Sequence, residues 1–335
     1  MSFNLKAISL TTLLFATLSS SAVSAEQLSV SYCFGDRGGL IPKAFDGTHY
    51  PLSFHVDGFC QVFKPNRVIE GTRNGLRDIG IAHSSFAGRY DDHLGLLQYP
   101  DTFESAEGFI NFASSDEAKS LFQEFEKQAN VKFLGLAYLG SRNLLSKDTI
   151  RPSDKLQGKY IAVLPRPGVI ELFREQTGRT PQKAPAHLGH RLEMIQKGVV
   201  DYVDVNSVEL NEFWRGNRFI AQNLNVNFVR SSHSFDSVIF MMNSKSFDSL
   251  PGSKRDEIEP TFQRITRKLS MLALDAETEL FKRMSNSPLN YWEGAISAKK
   301  KKKCGGTCPK NGACPQQFFA KKKKECCPKN GACTQ

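Results

Sequence analysis

The residues with the clearest chemical potential are six cysteines near the end of the chain. The segment CPKNGAC occurs at 308–314 and again at 327–333, and a run of lysines precedes each copy. Pro-Lys-Asn-Gly is typical of a turn, which brings the flanking thiols together. We therefore expect disulfides, and a thiolate site for zinc or copper(I) is the alternative. The cysteines concerned are Cys304, Cys308, Cys314, Cys326, Cys327 and Cys333.

The rest of the chain has no recognisable catalytic or metal-binding motif. It lacks G-x-S-x-G, H-E-x-x-H, a phosphate-binding glycine loop and C-x-x-C. His187 and His190 lie three residues apart and can share a metal ion, although surface or capping roles are commoner for such histidines. Asp201 and Asp204 can be read as paired carboxylates, or as a turn acid followed by a ligand-facing acid. We predict no catalytic residue, no metal ion and no cofactor.

The positive charge of the chain belongs to its last segment. The formal net charge is +10, and residues 299–335 contain eleven lysines and one acid, which also sum to +10. The preceding residues therefore carry 44 − 11 = 33 basic and 34 − 1 = 33 acidic side chains. This balance argues against a basic nucleic-acid groove in the body of the protein.

The first 25 residues have the pattern of an export signal. Lys6 is the only charged residue, a short apolar stretch follows, and Val23-Ser24-Ala25 resembles a cleavage site. The apolar stretch is too short to span a bilayer. We expect a soluble protein in the periplasm, where disulfides persist.

Strand-like and helix-like segments alternate through the body. Apolar runs at 131–139 and 159–165 fit strands that are buried on both faces of a mostly parallel sheet. Apolar residues at helical spacing predict one long helix over 253–284, which would pack across two lobes. The pattern predicts a two-lobed α/β architecture.

Five phrases in register resemble a known family. They are GTRNGLRDIGIA (71–82), VKFLGLAYLGSRNLLSK (131–147), DKLQGKYIAV (154–163), LEMIQKGVVDYVD (192–204) and MMNSKSFDSLPGSKRDEIE (241–259). Together they resemble the extracytoplasmic solute-binding proteins of TRAP transporters, the DctP-like family. The resemblance implies a two-lobed periplasmic binding protein fold with a hinge, which closes on a small solute and delivers it to a membrane permease. It also implies no catalysis.

The resemblance also implies a set of ligand-binding residues. Arginines commonly hold an organic acid in this family, because a guanidinium matches a carboxylate. GSRNLL places Arg142 at the ligand, and GVVDYVDV places Asp204 and the nearby Asn206 there. Phe213 and Trp214 are candidates for an aromatic wall, with core packing as the alternative.

One departure from the family concerns the solute. LQGKYIAV has Ala162 where the family has a second arginine. Either Arg166, four residues later, compensates for this loss, or the solute is not a simple carboxylate.

Two further cysteines lie in the body. Cys33 ends the first strand-like run and Cys60 follows the second. If those strands are neighbours, the two thiols can form a disulfide; two buried free thiols are the alternative.

These observations predict three units and one principal function. The units are a signal peptide (1–25), a two-lobed solute-binding domain (26–298) and a Lys/Cys-rich C-terminal extension (299–335). The function is capture of a small polar solute, expected to be an organic acid, for the membrane permease of a TRAP-type importer. One alternative is an exported protein whose basic segment binds anionic membrane, polysaccharide or nucleic acid. Another is a periplasmic receptor domain that senses its solute.

Overall fold

Two long strands, β4 (Val131–Ser146) and β8 (Asn227–Asn243), run antiparallel to each other through the centre of the molecule. The computed structural model describes residues 27–33, 39–47, 52–57, 64–100, 102–148, 156–216, 226–286 and 291–293. The predicted signal peptide, Cys60 and the Lys/Cys-rich extension lie outside these residues. Both long strands are buried over most of their length, because their sequences are rich in apolar residues on both faces.

Shorter strands and helices flank this pair. The other strands are β1 (Gln27–Tyr32), β2 (Ser53–Asp57), β3 (Ile79–His83), β5 (Ile161–Val163), β6 (Gln182–Lys183), β7 (Tyr202–Asn206) and β9 (Tyr291–Glu293). The α-helices are α1 (Leu40–Phe45), α2 (Val68–Arg73), α3 (Ala106–Ala113), α4 (Asp116–Leu121), α5 (Gln123–Ala129), α6 (Pro167–Thr177), α7 (Leu188–Gln196), α8 (Ser207–Gly216), α9 (Ser244–Ser249) and α10 (Gly252–Ser285). Short 3-10 helices cover Pro65–Arg67, Ser84–Arg89 and Asp92–Gln98.

The described strands form one mixed sheet. Their order is β2-β1-β3-β8-β4-β7-β5-β6, and β9 pairs with β8. Five of the eight pairings between described strands are parallel, in line with the predicted sheet. The apolar run 131–139 departs from that prediction, because it belongs to β4, whose described neighbours β7 and β8 are both antiparallel to it. The chain leaves one lobe along β4 and returns along β8, so these two strands point in opposite directions.

The hydrophobic side chains divide between two lobes. In the first lobe, β1, β3, the first part of β4 and the last part of β8 share a core with the neighbouring helices. In the second lobe, the end of β4, the start of β8 and strands β5 and β7 form two adjoining clusters with α6, α7 and α8. The predicted two-lobed α/β fold is confirmed.

The predicted long helix is α10. Its residues Ile258, Phe262 and Leu269 lie in the core of the first lobe, whereas Leu280 and Phe281 lie in that of the second. Apolar residues spaced by three and four along one sequence therefore produce a helix whose buried face packs against both lobes.

The two long strands are irregular where they pass from one lobe to the other. The β4–β8 register shifts between Tyr138 and Ser141 and again between Arg142 and Leu144. Gly140 lies within the first of these shifts with φ +104°, and a Cβ atom there would lie 2.7 Å from Ser207 Oγ. Both facts require glycine, which has no Cβ to clash. This bend positions the next residues of β4 between the lobes.

Candidate ligand-binding site

Charged side chains are buried where β4 and β8 pass between the lobes, beside β7. Arg142 on β4, Asp204 on β7 and Asp236 on β8 each have 0% of their surface exposed. Buried charges are tolerated only when they are paired and hydrogen-bonded. We call the group formed by these three residues and Arg166 the crossing cluster.

Arg142 uses all three of its guanidinium nitrogens within the protein. Nε donates to Asp204 Oδ1 at 2.7 Å, and Nη2 donates to Asp204 Oδ2. Nη1 donates to Asp236 Oδ2 at 3.1 Å. The guanidinium therefore holds Asp204 with two donors and Asp236 with a third, a planar arrangement that suits arginine.

Asp236 contacts residues of both lobes. Its Oδ2 also accepts a hydrogen bond from Asn206 Nδ2 at 3.0 Å. Its Oδ1 lies 2.7 Å from Arg166 Nη1, at the start of α6 in the second lobe, and 3.5 Å from His83 Nε2, at the end of β3 in the first. The carboxylate of Asp236 thus joins the lobes at the crossing.

The charges of the cluster stabilise one another. Burial disfavours the charged guanidinium of Arg142, but the attraction of Asp204 and Asp236 outweighs it and raises the pKa of Arg142. Burial likewise opposes ionisation of Asp204, but Arg142 keeps the pKa of Asp204 below its usual range. The pKa of Asp236 is lowered well below its usual range, because Arg166 and then Arg142 overcome the cost of burial. Both carboxylates are ionised at neutral pH.

Two histidines lie against the two carboxylates. His233 Nε2 is 3.3 Å from Asp204 Oδ1, while its Nδ1 is 2.8 Å from Ser231 Oγ. Burial lowers the pKa of His233 despite the nearby carboxylate. His83 Nδ1 lies 3.0 Å from the side-chain nitrogen of Gln98, a residue of the first lobe.

The structure brings four of the predicted site residues together and places the other two elsewhere. Arg142, Arg166, Asp204 and Asn206 meet around Asp236. Phe213 and Trp214 lie on α8 in the hydrophobic core of the second lobe. Their predicted contact with a solute, like that of the other four residues, stays a prediction.

Ala162 and Asp201 also lie outside the cluster. Ala162, where the family has an arginine, is buried in the core of the second lobe. Asp201 accepts a hydrogen bond from the backbone nitrogen of Tyr160 at 2.7 Å and so connects the residue before β7 to the segment that leads into β5. The two aspartates of DYVD therefore have different surroundings, because successive residues of a strand face opposite sides and Asp201 precedes the strand.

Sequence reasoning missed Asp236, His83 and His233. A signal for Asp236 existed, since it is the one acid in the run SFDSVIFMM, whose other residues are small or apolar. A charge in a strand that is otherwise buried requires partners. The partners are far away in the sequence, so the run alone did not identify them.

The alternative of a metal site and the predicted disulfides can be followed only within the described residues. There, no group of three or more His, Cys, Asp or Glu side chains is placed to hold a metal ion. His187 caps α7 by accepting a hydrogen bond from Gly189 N, and its ring lies 5.4 Å from that of His190. Cys33 is disulfide-bonded and follows β1, which pairs in parallel with β2. Its predicted partner Cys60 lies outside the described residues, so that pairing stays a prediction.

The fold and the buried site between its lobes define a class, the two-lobed solute-binding proteins. The family model for bacterial extracellular solute-binding protein, family 7, also called DctP, matches residues 50–303, and the chain belongs to this family. The predicted resemblance is confirmed. None of the described helices combines the length and hydropathy needed to cross a membrane.

Individual relatives are distant. A solute-binding protein of Sulfitobacter sp. (strain NAS-14.1) is 26% identical over 178 residues, which make up 52% of this chain and 50% of the relative. The chain thus spans about half the length of that curated relative. An apo, open TRAP periplasmic solute-binding protein from Citrobacter koseri has a TM-score of 0.67 at 17% identity, over 80% of this chain and 90% of that one. One from Haemophilus influenzae RdAW with bound L-gulonate has a TM-score of 0.63 at 16% identity, over 80% and 88%. At these identities the solved structures show the shared fold alone.

Proposed function

We propose that the protein is the periplasmic solute-binding subunit of a TRAP-type importer. It captures a small polar solute by closure of its two lobes and delivers the solute to membrane permease subunits. No chemical step on the solute is part of this function. Membership of the family supports the transport role.

The observation that carries the proposal is the crossing cluster between the lobes. Its charged groups are buried, and Asp236 contacts Arg166 of the second lobe and His83 of the first. Ligand sites of small molecules are commonly found between lobes, with a few convergent polar groups. Groups that meet only when the lobes approach are suited to couple solute binding to closure.

A second contact between the two lobes supports closure. Tyr99, which follows the 3-10 helix Asp92–Gln98 of the first lobe, donates a hydrogen bond to Glu171 Oε2 on α6 at 2.8 Å. A Cβ at Gly168 would lie 2.6 Å from the Tyr99 ring, so only glycine permits this approach. Burial, together with Glu171, raises the pKa of Tyr99 to about 12, so its hydroxyl remains a donor at neutral pH.

The division of the chain is part of the proposal. Residues 1–25 are removed on export, residues 26–298 bind the solute, and residues 299–335 are dispensable for binding. The solved relative with L-gulonate supports a small polar solute as the cargo.

Native mass spectrometry of the purified full chain tests solute capture. We expect a co-purified small molecule, and small-angle scattering should show a smaller radius of gyration with solute than without it. A chain that ends at Ala298 should bind the same solute with the same affinity. A chain that carries no solute and shows no melting shift with acids, sugars, polyols or amines would contradict the proposal.

The contact between Tyr99 and Glu171 allows a sharper test of closure. Y99F removes one hydrogen bond between the lobes, so we expect the solute affinity to fall by about 2- to 10-fold. Y90F makes the same change at Tyr90, which packs on Phe125 within the first lobe, and should leave the affinity unchanged. Equal effects of Y99F and Y90F would count against closure through this contact.

A further inference from the structure

The crossing cluster is electrically balanced by the protein itself. Arg142 and Arg166 supply two positive charges, and Asp204 and Asp236 supply two negative ones at 2.5 to 3.1 Å. The neighbouring buried Arg191 is paired with Glu209. Among the described residues of this region, each buried arginine therefore already faces a carboxylate of the same chain.

Asp236 occupies the position that faces both arginines of the crossing cluster. Its two carboxylate oxygens point to two different arginines, Oδ2 toward Arg142 and Oδ1 toward Arg166. Asn206 supplies a further donor at 3.0 Å. A carboxylate beside two guanidinium groups and an amide donor has the kind of partners that an anion-binding site provides. Here the carboxylate is covalently part of β8.

An incoming carboxylate would have to displace that of Asp236. Because Asp236 is attached to the protein, it competes at a high effective concentration. Displacement would also leave its charge buried without compensation, which is strongly unfavourable. An uncharged solute encounters neither obstacle.

We propose that Asp236 determines specificity by excluding carboxylate solutes, so that the protein takes an uncharged, hydrogen-bonding solute such as a polyol or neutral sugar. This inference rests on the proposed function, because it names the class of solute for the same site. It also agrees with Ala162, which stands where the family has a second arginine. The first family arginine, Arg142, is present, but carboxylates of the same chain already neutralise its charge.

The Arg191–Glu209 pair provides a matched control. Both residues are buried, and Arg191 also donates to the backbone oxygens of Asp204 and Ala186. Arg191 lies on α7 and Glu209 on α8, so the pair belongs entirely to the second lobe. Removal of either carboxylate leaves one arginine without its partner, but only removal of Asp236 vacates a position between the lobes.

The experiment compares full-length wild type, D236A and E209A in sodium acetate and in L-malate. Melting temperatures and calorimetric affinities are measured at constant ionic strength, with chloride as the balancing anion. We expect D236A to bind both carboxylates at least 10-fold more tightly than wild type, and to recover part of its lost melting temperature in acetate. E209A and wild type should show no such gain.

Three results would overturn the inference. These are tight L-malate binding by wild type, a folded D236A that gains no affinity, and an equal gain in E209A. If D236A does not fold, D236S, which also removes the carboxylate and vacates its position, must show the gain in L-malate affinity.

The outcomes separate this inference from the proposed function. If native mass spectrometry finds a carboxylic acid bound to wild type, solute capture stands and the exclusion by Asp236 falls. If wild type binds no solute but D236A gains acetate binding, the role of Asp236 stands and the proposed transport function falls.

Discussion

Two buried carboxylates at the crossing of the lobes are held in opposite ways. Asp236 faces the guanidinium groups of Arg142 and Arg166. Glu277, on α10, accepts hydrogen bonds from Tyr138 Oη at 2.8 Å, from Ser141 N at 2.7 Å and from two serine hydroxyls.

The difference between their partners indicates that Asp236 and Glu277 have different roles. Neutral donors from β4 and α8 attach Glu277 to its surroundings, so this group fixes the long helix to the bend in β4. Opposite charges hold Asp236, and charged partners of that kind can also bind an anion from solution. Burial, reinforced by the charge of Glu277, raises the pKa of Tyr138 well above its usual value, so Tyr138 remains a donor. We infer that Glu277 maintains the architecture and that Asp236 controls the site.

The largest effect should come from removal of the cation at the centre of the cluster. R142M leaves Asp204 and Asp236 buried without their shared partner, so we expect the free energy of unfolding to fall by about 4 kcal/mol. Urea denaturation measures this change. R67A, at a surface ion pair with Glu70, is the control and should have no measurable effect. A small effect of R142M would show that the cluster contributes little to the fold.

Loss of the Glu277 carboxylate should have the next largest effect. E277A leaves the Tyr138 hydroxyl and the Ser141 amide buried without their acceptor, so we expect a loss of about 3 kcal/mol. E277Q retains one acceptor oxygen and should lose less. Neither variant should gain affinity for acetate, in contrast to D236A. Acetate binding by E277A would remove the distinction between the two carboxylates.

A backbone change at the bend should have a smaller effect. G140A adds a Cβ 2.7 Å from Ser207 Oγ and 2.9 Å from Val208 Cγ2, at φ +104°. Strain of this kind costs about 2 kcal/mol, which thermal unfolding can measure. G95A is the control, because a Cβ at Gly95 meets nothing within 4 Å. Equal stability of the two variants would mean that the bend does not require glycine.

The smallest effect should be the pH dependence that His233 contributes. Its pKa is lowered in the folded protein, so the unfolded chain binds a proton at a higher pH than the folded one does. The stability that neutral His233 contributes is therefore fully present above about pH 6.5, and it is lost as the pH falls through the pKa of His233 in the folded protein. The free energy of unfolding falls by at most about 1.4 kcal/mol per pH unit. Melting temperatures at pH 8 and pH 5.5 measure this loss.

A variant and a second pH range check the assignment to His233. H233Q cannot titrate and should lose less stability between pH 8 and pH 5.5 than wild type does. The same dependence in H233Q would assign the loss to other groups. Asp204 and Asp236 have lowered pKa values, so their contribution to the free energy of unfolding should persist until the pH falls below about 4.

Local patterns were sufficient to predict the architecture. The spacing of Ile258, Phe262 and Leu269 predicted a long helix that crosses both lobes, and its bounds differ from the prediction by one residue at each end. Apolar runs predicted the buried strands but not their direction, because a strand buried on both faces has the same composition in either orientation. The predicted helix and lobes follow from periodicity, which is a property of neighbouring residues.

The sequence by itself determined the residue types at the crossing, and the family resemblance pointed to Arg142, Arg166, Asp204 and Asn206, whose contact with a solute stays a prediction. Only the tertiary structure decided what faces them. Asp236 reaches Arg142 through the antiparallel pairing of β4 and β8, and Arg166 through the approach of the two lobes. Whether an arginine is available to a solute depends on the charge that the fold places beside it, and no local pattern records a partner 94 residues away.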